Sequence, residues 1–325
     1  MFNNNQLLTD ADDICNEKLD ITTRRRYNRF FDQFQEWVVH NHDEFLDEAG
    51  DLILRNITDE AFKEFLAHKT KKTYKDGAYM VPEKFQSYEH VSGYKSGLVH
   101  GFDKAGVPLR TSTSKMFKEF FAGYRRKIGQ LKQNGEMKLK EGKDALSFSG
   151  YRYIAKTAIA QEKDYPLSTF SWVFLLLCWN LISRCVSVSS LMYDHIWWEE
   201  DSMVIVFPTH KGDKDGENSL SSPKHVFANP TNPEICPILA FGVYMICLGV
   251  RRDGAKRMVF GDKDNNESRF GNWLRASLGS HAPELLMMGI TILEIGTHSF
   301  RKGVASFLCG LIGGPSAISI YLRAG

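Results

Sequence analysis

With 325 residues, 43% of them hydrophobic and 25% charged, the chain has enough apolar side chain for about two cores and is not collagen-like, disulfide-dense or disordered in composition. Its two most apolar runs, Phe170–Ile182 and Ile238–Val250, are 13 residues each, short of the roughly 20 that span a bilayer, and Met1-Phe2-Asn3-Asn4-Asn5 lacks the basic start and apolar run of a secretion signal. The net charge of +2 is unevenly spread: residues 1–60 carry 6 Lys and Arg against 14 Asp and Glu, and residues 101–145 carry 11 against 5, a basic block that suits either a polyanion or a solvated helix face.

The first half reads as helices. After Thr22 and Thr23, both good N-caps, Tyr27, Phe30, Phe31, Phe34, Trp37 and Val38 fall on one helical face, with Arg25 and Arg29 away from it. A second helix starts at Thr58 and buries Phe62, Phe65 and Leu66. A third follows Pro82 with Phe85, Tyr88, Val91, Tyr94 and Leu98. A fourth follows Thr111–Ser114 with Phe117, Phe120, Phe121, Tyr124 and Ile128, and its other face carries Lys118, Arg125 and Lys127. The apolar pattern then lapses into a polar linker. The expected organisation is a tail over 1–20, a helical domain over 21–130, a linker over 131–144 and a second domain over 145–325.

Ser147 caps a helix running to about Gln161, and the apolar run ending at Ile182 is a buried helix. Met203–Phe207 then reads as a strand, Lys211–Ser219 as a turn and Lys224–Ala228 as a returning strand, a hairpin with a long loop. Pro237 opens a helix to Leu248. Further helices are expected near 268–278, 284–293 and 297–309, with a last one from Pro315. The six cysteines form no CxxC pair and four sit in apolar context, which suggests reduced, intracellular cysteines, with no zinc site or disulfide frame.

Four residues of the second half carry chemistry. Arg184 ends a buried apolar helix, where a guanidinium needs a partner or a ligand. Lys211 lies where the hairpin turns. His298 and Arg301 form a His-x-x-Arg, and positions i and i+3 share a helical face. Two arginines, a lysine and a histidine suit a phosphodiester in transition: guanidinium forks hold the non-bridging oxygens and offset the developing charge, while lysine or histidine moves protons at the bridging oxygens. Each also has a plainer reading. Arg184 could cap a helix or pair with a carboxylate, Lys211 could be a solvated turn lysine, and His298 a capping or core histidine.

In order and spacing these residues resemble the catalytic domain of tyrosine recombinases, most closely the Crypton-type recombinases of eukaryotic mobile elements. Lys143-Asp144-Ala145-Leu146-Ser147-Phe148 with Tyr151-Arg152 resembles the opening of that domain. Arg184, followed by Leu191 and Asp194-His195-Ile196, resembles the segment of the first catalytic arginine. Lys211, 27 residues on, matches the hairpin lysine, with Lys214 as its alternative. Asn232-Pro233-Glu234-Ile235-Cys236-Pro237 resembles a recurrent connector, and Thr297-His298-Ser299-Phe300-Arg301-Lys302-Gly303 matches the His-x-x-Arg box. The helical first half, including Tyr94-Lys95-Ser96-Gly97-Leu98, is similar to the family's DNA-clamping core-binding domain.

The resemblance implies a mainly α fold with a small β-hairpin or sheet, in which a core-binding domain is joined to a tyrosine-recombinase-like catalytic domain. It implies double-stranded DNA as partner, self-association on DNA, a nuclear location, and strand cleavage and rejoining without metal, ATP or other cofactor. A tyrosine attacks a DNA phosphate, forms a 3′-phosphotyrosyl link and frees a 5′-hydroxyl. Arg184 and Arg301 would hold the phosphate, Lys211 would protonate the leaving oxygen, and His298 would move a proton. Arg125, Arg126 and Lys127 are the expected DNA-binding cations.

The sequence departs from the family twice. Ser187 stands where an acidic residue usually supports the first arginine. The helix Ile320-Tyr321-Leu322-Arg323 leads toward the family's late Trp or His and its nucleophilic tyrosine, but the sequence stops at Gly325. The expectation is therefore a recombinase-type protein without its nucleophile, since Tyr321 falls on the preceding helix as a packing residue. The alternatives are a recombinase-derived DNA-binding protein without chemistry, a type IB topoisomerase, which shares the Arg-Lys-His-Arg chemistry, and a helical protein with no DNA role.

Overall fold

A computed structural model describes residues 9, 11, 14–15, 17–140, 142–161, 164–208, 223–248, 257–261 and 263–324. The chain divides into two compact units, Met1–Glu141 and Gly142–Gly325.

Among the described residues, the core of the first unit is formed by α1 (Ile21–Asn41), α2 (Asp59–Thr70), α3 (Tyr88–Lys104) and α4 (Thr111–Gln133). Its core is largely aromatic, with Phe30, Phe34, Phe62, Phe65 and Phe117 fully buried. Phe34 stacks on Phe62 at 5.2 Å and meets Phe65 edge-on at 5.1 Å, the geometries favoured by ring quadrupoles. Helices α1 and α3 approach closely because α3 carries Gly93, Gly97 and Gly101 at four-residue spacing. A Cβ at Gly93 would stand 2.7 Å from the Phe30 ring and one at Gly97 2.6 Å from the Phe30 Cβ, while one at Gly101 would strike the ring of Phe31.

Three local details differ from the sequence pattern. The cap of α1 is Asp20, whose carboxylate accepts from the Thr22 N–H; Thr22 and Thr23 already lie inside the helix. Phe85 lies outside α3, because it pairs across an antiparallel bridge with Lys71 while Ser87 accepts from the His90 N–H and starts the helix there. Helix α4 runs on to Gln133, with Leu131 still packed on the aromatic core.

The second unit wraps around α6 (Tyr165–Asn180), of which Phe170 through Trp179 are buried without interruption, as a helix apolar all round must be. Around it lie α5 (Phe148–Ala160), α7 (Cys185–Ser189), α8 (Pro237–Leu248), α9 (Lys263–Ser280), α10 (Ala282–Met287), α11 (Thr297–Gly310) and α12 (Ala317–Ala324). Asp164 caps α6 through the Leu167 N–H, and Ser147 caps α5 through the Gly150 N–H. The helix expected over 284–293 stops at Met287: Gly289 takes a positive φ of 74°, and Ile292–Glu294 forms a separate 3₁₀ turn.

The sheet has three antiparallel strands, β1 (Ile196–Glu199), β2 (Ser202–Ile205) and β3 (Lys224–Phe227), in the order β1-β2-β3. Ile196 pairs with Ile205 and Ile205 with Lys224. The outer strand β1, unforeseen from the sequence, turns into β2 through Glu200 and Asp201, with Glu200 at φ 52°. The fold is thus mainly α with a small antiparallel sheet. Among the described residues no helix is long and apolar enough to cross a membrane.

Candidate functional site

The site of interest begins at the C-terminal end of α6. The Leu181 N–H closes on Leu177 O, the Ile182 N–H on Trp179 O and the Ser183 N–H on Cys178 O. This tight exit puts Ile182 at φ 52°, a left-handed conformation that a β-branched residue rarely adopts. Leu181, Ile182 and Ser183 are buried, and Arg184 emerges half-buried at the start of α7. The Arg184 side chain makes neither an ion pair nor a hydrogen bond with any described residue.

The next residue ties this turn to the His-x-x-Arg helix: the buried Cys185 thiol reaches the Thr297 carbonyl at 3.8 Å. At the start of α11 the Ser299 hydroxyl accepts from the Gly296 N–H at 3.0 Å, and the Ser299 N–H returns to Gly296 O at 2.9 Å. Phe300 packs into the core against Phe270, and Arg301 is left half-buried. Burial first, and then the nearby Arg184, pull the Arg301 guanidinium below its ordinary value. The Cys185–Thr297 contact thus brings the segments that carry the two arginines together.

The segment Lys143–Leu146 is stitched along the same helix start. Asp144 N–H donates to Glu294 O at 2.7 Å and Leu146 N–H to Ser299 O at 3.0 Å, while the Lys302 ammonium donates to Lys143 O at 2.6 Å. Gly303 makes this contact sterically possible, because a Cβ there would collide with the Leu146 carbonyl oxygen. His298 is exposed and lines a cleft of about 400 Å³ with Lys143, Arg275, Leu293 and Thr297.

Lys211 and Lys214 lie outside the described residues. A different lysine of the same hairpin sits beside the arginines. Lys224, the first residue of β3, is 8% exposed. Burial first, then Arg323, Arg301 and Arg184, push its ammonium from 10.5 down to about 8. Sequence reading missed Lys224 because a lysine opening a strand looks solvent-facing. The available signal was its place in strict alternation with Val226, which shares its inward face. Tyr321, expected as a packing residue, is instead 77% exposed on α12, because it stands two residues and so about 200° around the helix from the inward-turned Arg323.

In the first unit, Arg125, Arg126 and Lys127 are all exposed on α4. Arg125 lies over the Tyr88 ring at 4.5 Å and Lys127 over the Phe85 ring at 4.0 Å, so two of the three are oriented by aromatic faces. A second basic surface was hidden by the acidic average of residues 1–60. Four of the six cations there are Arg24, Arg25, Arg26 and Arg29, and Arg24 joins Lys18, Tyr27, Lys95, His100 and Lys104 around a groove of about 490 Å³.

Comparison with solved structures places this architecture among recombinase folds. The Tn1549 transposon integrase, solved in complex with transposon right-end DNA, superposes with a TM-score of 0.58 at 11% identity, covering 94% of this chain and 86% of that one. The XerH site-specific recombinase bound to its difH substrate matches at 12% identity over 91% of this chain and 74% of that one, with a TM-score of 0.49. No protein-family model and no curated protein sequence matches the chain. At such identities the likeness is one of fold: a helical unit followed by a helical unit with a three-stranded antiparallel sheet, resembling tyrosine recombinases.

Proposed function

We propose that the protein binds double-stranded DNA and cleaves and rejoins its strands as a tyrosine recombinase of the Crypton type. Arg184 and Arg301 hold one phosphate between them, and the observation that carries this is Arg184 itself. It is half-buried beside a second guanidinium with no carboxylate from any described residue to neutralise it, an arrangement that costs stability until an anion arrives. A phosphate supplies the missing charge and accepts both forks.

When a tyrosine attacks that phosphate, the arginines offset the charge that builds on the non-bridging oxygens. Lys211, or Lys214, gives a proton to the departing 5′-oxygen. His298 moves a proton between the bridging oxygens and the cleft. No cofactor takes part. Arg125, Arg126 and Lys127 neutralise phosphates away from the reacting one, and copies of the chain assemble on DNA to exchange strands.

The test is a pair of measurements on one preparation. Fluorescence anisotropy with labelled duplex should show binding whose logarithm falls linearly with the logarithm of salt concentration. On a chain that also carries the attacking tyrosine expected beyond α12, nicked duplexes should yield a denaturant-resistant protein–DNA adduct that Arg301→Ala abolishes while duplex affinity stays within about tenfold, since the arginine acts chiefly in the transition state. Binding without any adduct would favour a recombinase-derived DNA-binding protein. Absence of salt-sensitive duplex binding would overturn both readings.

A further inference from the structure

Lys224 is the one charged side chain among the buried described residues, and it meets no carboxylate. Its ammonium donates to Arg323 O at 2.6 Å, to Leu181 O at 3.2 Å and to Ser183 Oγ at 3.4 Å. These acceptors come from α12, from the C-terminal end of α6 and from the turn that carries Arg184. Arg323 closes the ring from the other side: its Nη2 donates to Asn180 O at 3.1 Å and to His225 O at 2.8 Å, next to Lys224 itself. The last carbonyls of a helix lack intrahelical donors and form its negative end, which is why a buried ammonium and a half-buried guanidinium can sit here. The ring of Phe207 lies 5.1 Å from the ammonium and adds an aromatic face.

We propose that Lys224 is a positioning residue for Arg184: its three-donor ammonium fastens the left-handed turn at Leu181–Ser183 to helix α12, so that Arg184 and the last helix are held as one piece. The proposal rests on the reading of Arg184 and Arg301 as a phosphate-binding pair. An apolar side chain in this place would avoid both the burial and the repulsion by Arg184, Arg301 and Arg323 that lower the ammonium's affinity for its proton. What the lysine supplies instead is a set of directed bonds at a conformation that persists only where its surroundings over-determine it.

The experiment uses the full chain labelled with ¹⁵N-arginine and inorganic phosphate as probe. The side-chain resonances are assigned with Arg184→Lys and Arg301→Lys. In the wild type both resonances shift along one phosphate isotherm. In Lys224→Met the phosphate affinity read at Arg184 falls about two- to tenfold, the worth of one positioned hydrogen bond, and amide exchange over residues 317–324 rises about tenfold or more as the helix is released. Lys224→Arg, which keeps directed donors, recovers part of both. Arg323→Ala breaks the ring from α12, gives the same pair of changes, and carries the test should Lys224→Met not fold. Resonances that fail to move together in the wild type overturn the phosphate-binding pair. A wild type that behaves as stated, with Arg184 unaltered in Lys224→Met and Arg323→Ala, overturns the positioning role, even where exchange at α12 increases.

Discussion

Replacing Gly303 by alanine tests how the His-x-x-Arg helix is held. The new methyl would meet the Leu146 carbonyl oxygen head-on and stand 3.0 Å from the Leu146 carbonyl carbon and 3.1 Å from its nitrogen. Those are backbone atoms and cannot rotate away. They are further fixed by the bonds of Leu146 to Ser299, Asp144 to Glu294 and Lys302 to Lys143. Overpacking of this kind costs about 1–3 kcal/mol, and losing the Leu146–Ser299 bond as α11 lifts adds about 1 kcal/mol. At about 2–4 °C per kcal/mol for a domain of this size, the second unit should melt roughly 5–15 °C lower by calorimetry. Because Arg301 rides on the displaced helix, the phosphate affinity read at Arg301 should fall with it. A melting temperature unchanged to within about 2 °C would refute the close approach of α11 to Leu146.

Further outcomes follow from the charges. Lys224 binds its proton less tightly folded, at about 8, than at its ordinary 10.5, so the unfolded chain carries more protons between those values. Stability should therefore rise with pH across that window by about 3 kcal/mol, a rise seen in urea unfolding of the wild type and absent in Lys224→Met. Arg301→Gln removes one of the cations that depress Lys224 and should move its titration upward in a pH series of ammonium NMR spectra. Replacing Arg125, Arg126 and Lys127 by alanine should reduce the salt slope of duplex binding by up to about three. An unchanged slope, with the loss appearing instead in Arg24→Ala and Arg29→Ala, would move the DNA surface to α1. Tyr321→Phe should leave any adduct yield unaltered, since that side chain is turned away from Arg323.

Much of the helical pattern of both units was legible because its signals are local. The phenylalanine spacing of α1 and the caps Thr58 and Ser147 each decide structure within one or two turns. The gathering of Arg184 with the His-x-x-Arg helix was legible only through resemblance, because the Cys185–Thr297 contact joins residues 112 apart and no periodicity encodes such a pairing. Strand β1 was missed because Ile196-Trp197-Trp198-Glu199 is short and its tryptophans are exposed edge residues. Lys224 was missed because its acceptors, Leu181 O and Arg323 O, belong to distant segments. The arginines of α1 were lost in a regional charge average that helix geometry does not respect.

Whether Arg184 and Arg301 grip a single DNA phosphate is decided by a double-mutant cycle on duplex affinity with Arg184→Ala, Arg301→Ala and the double variant at one fixed salt concentration. Residues that share one ligand group couple. Each single variant should weaken binding by no more than about tenfold, and the double variant should be little worse than the weaker single one. Losses that simply add, or no loss in either single variant, would contradict it.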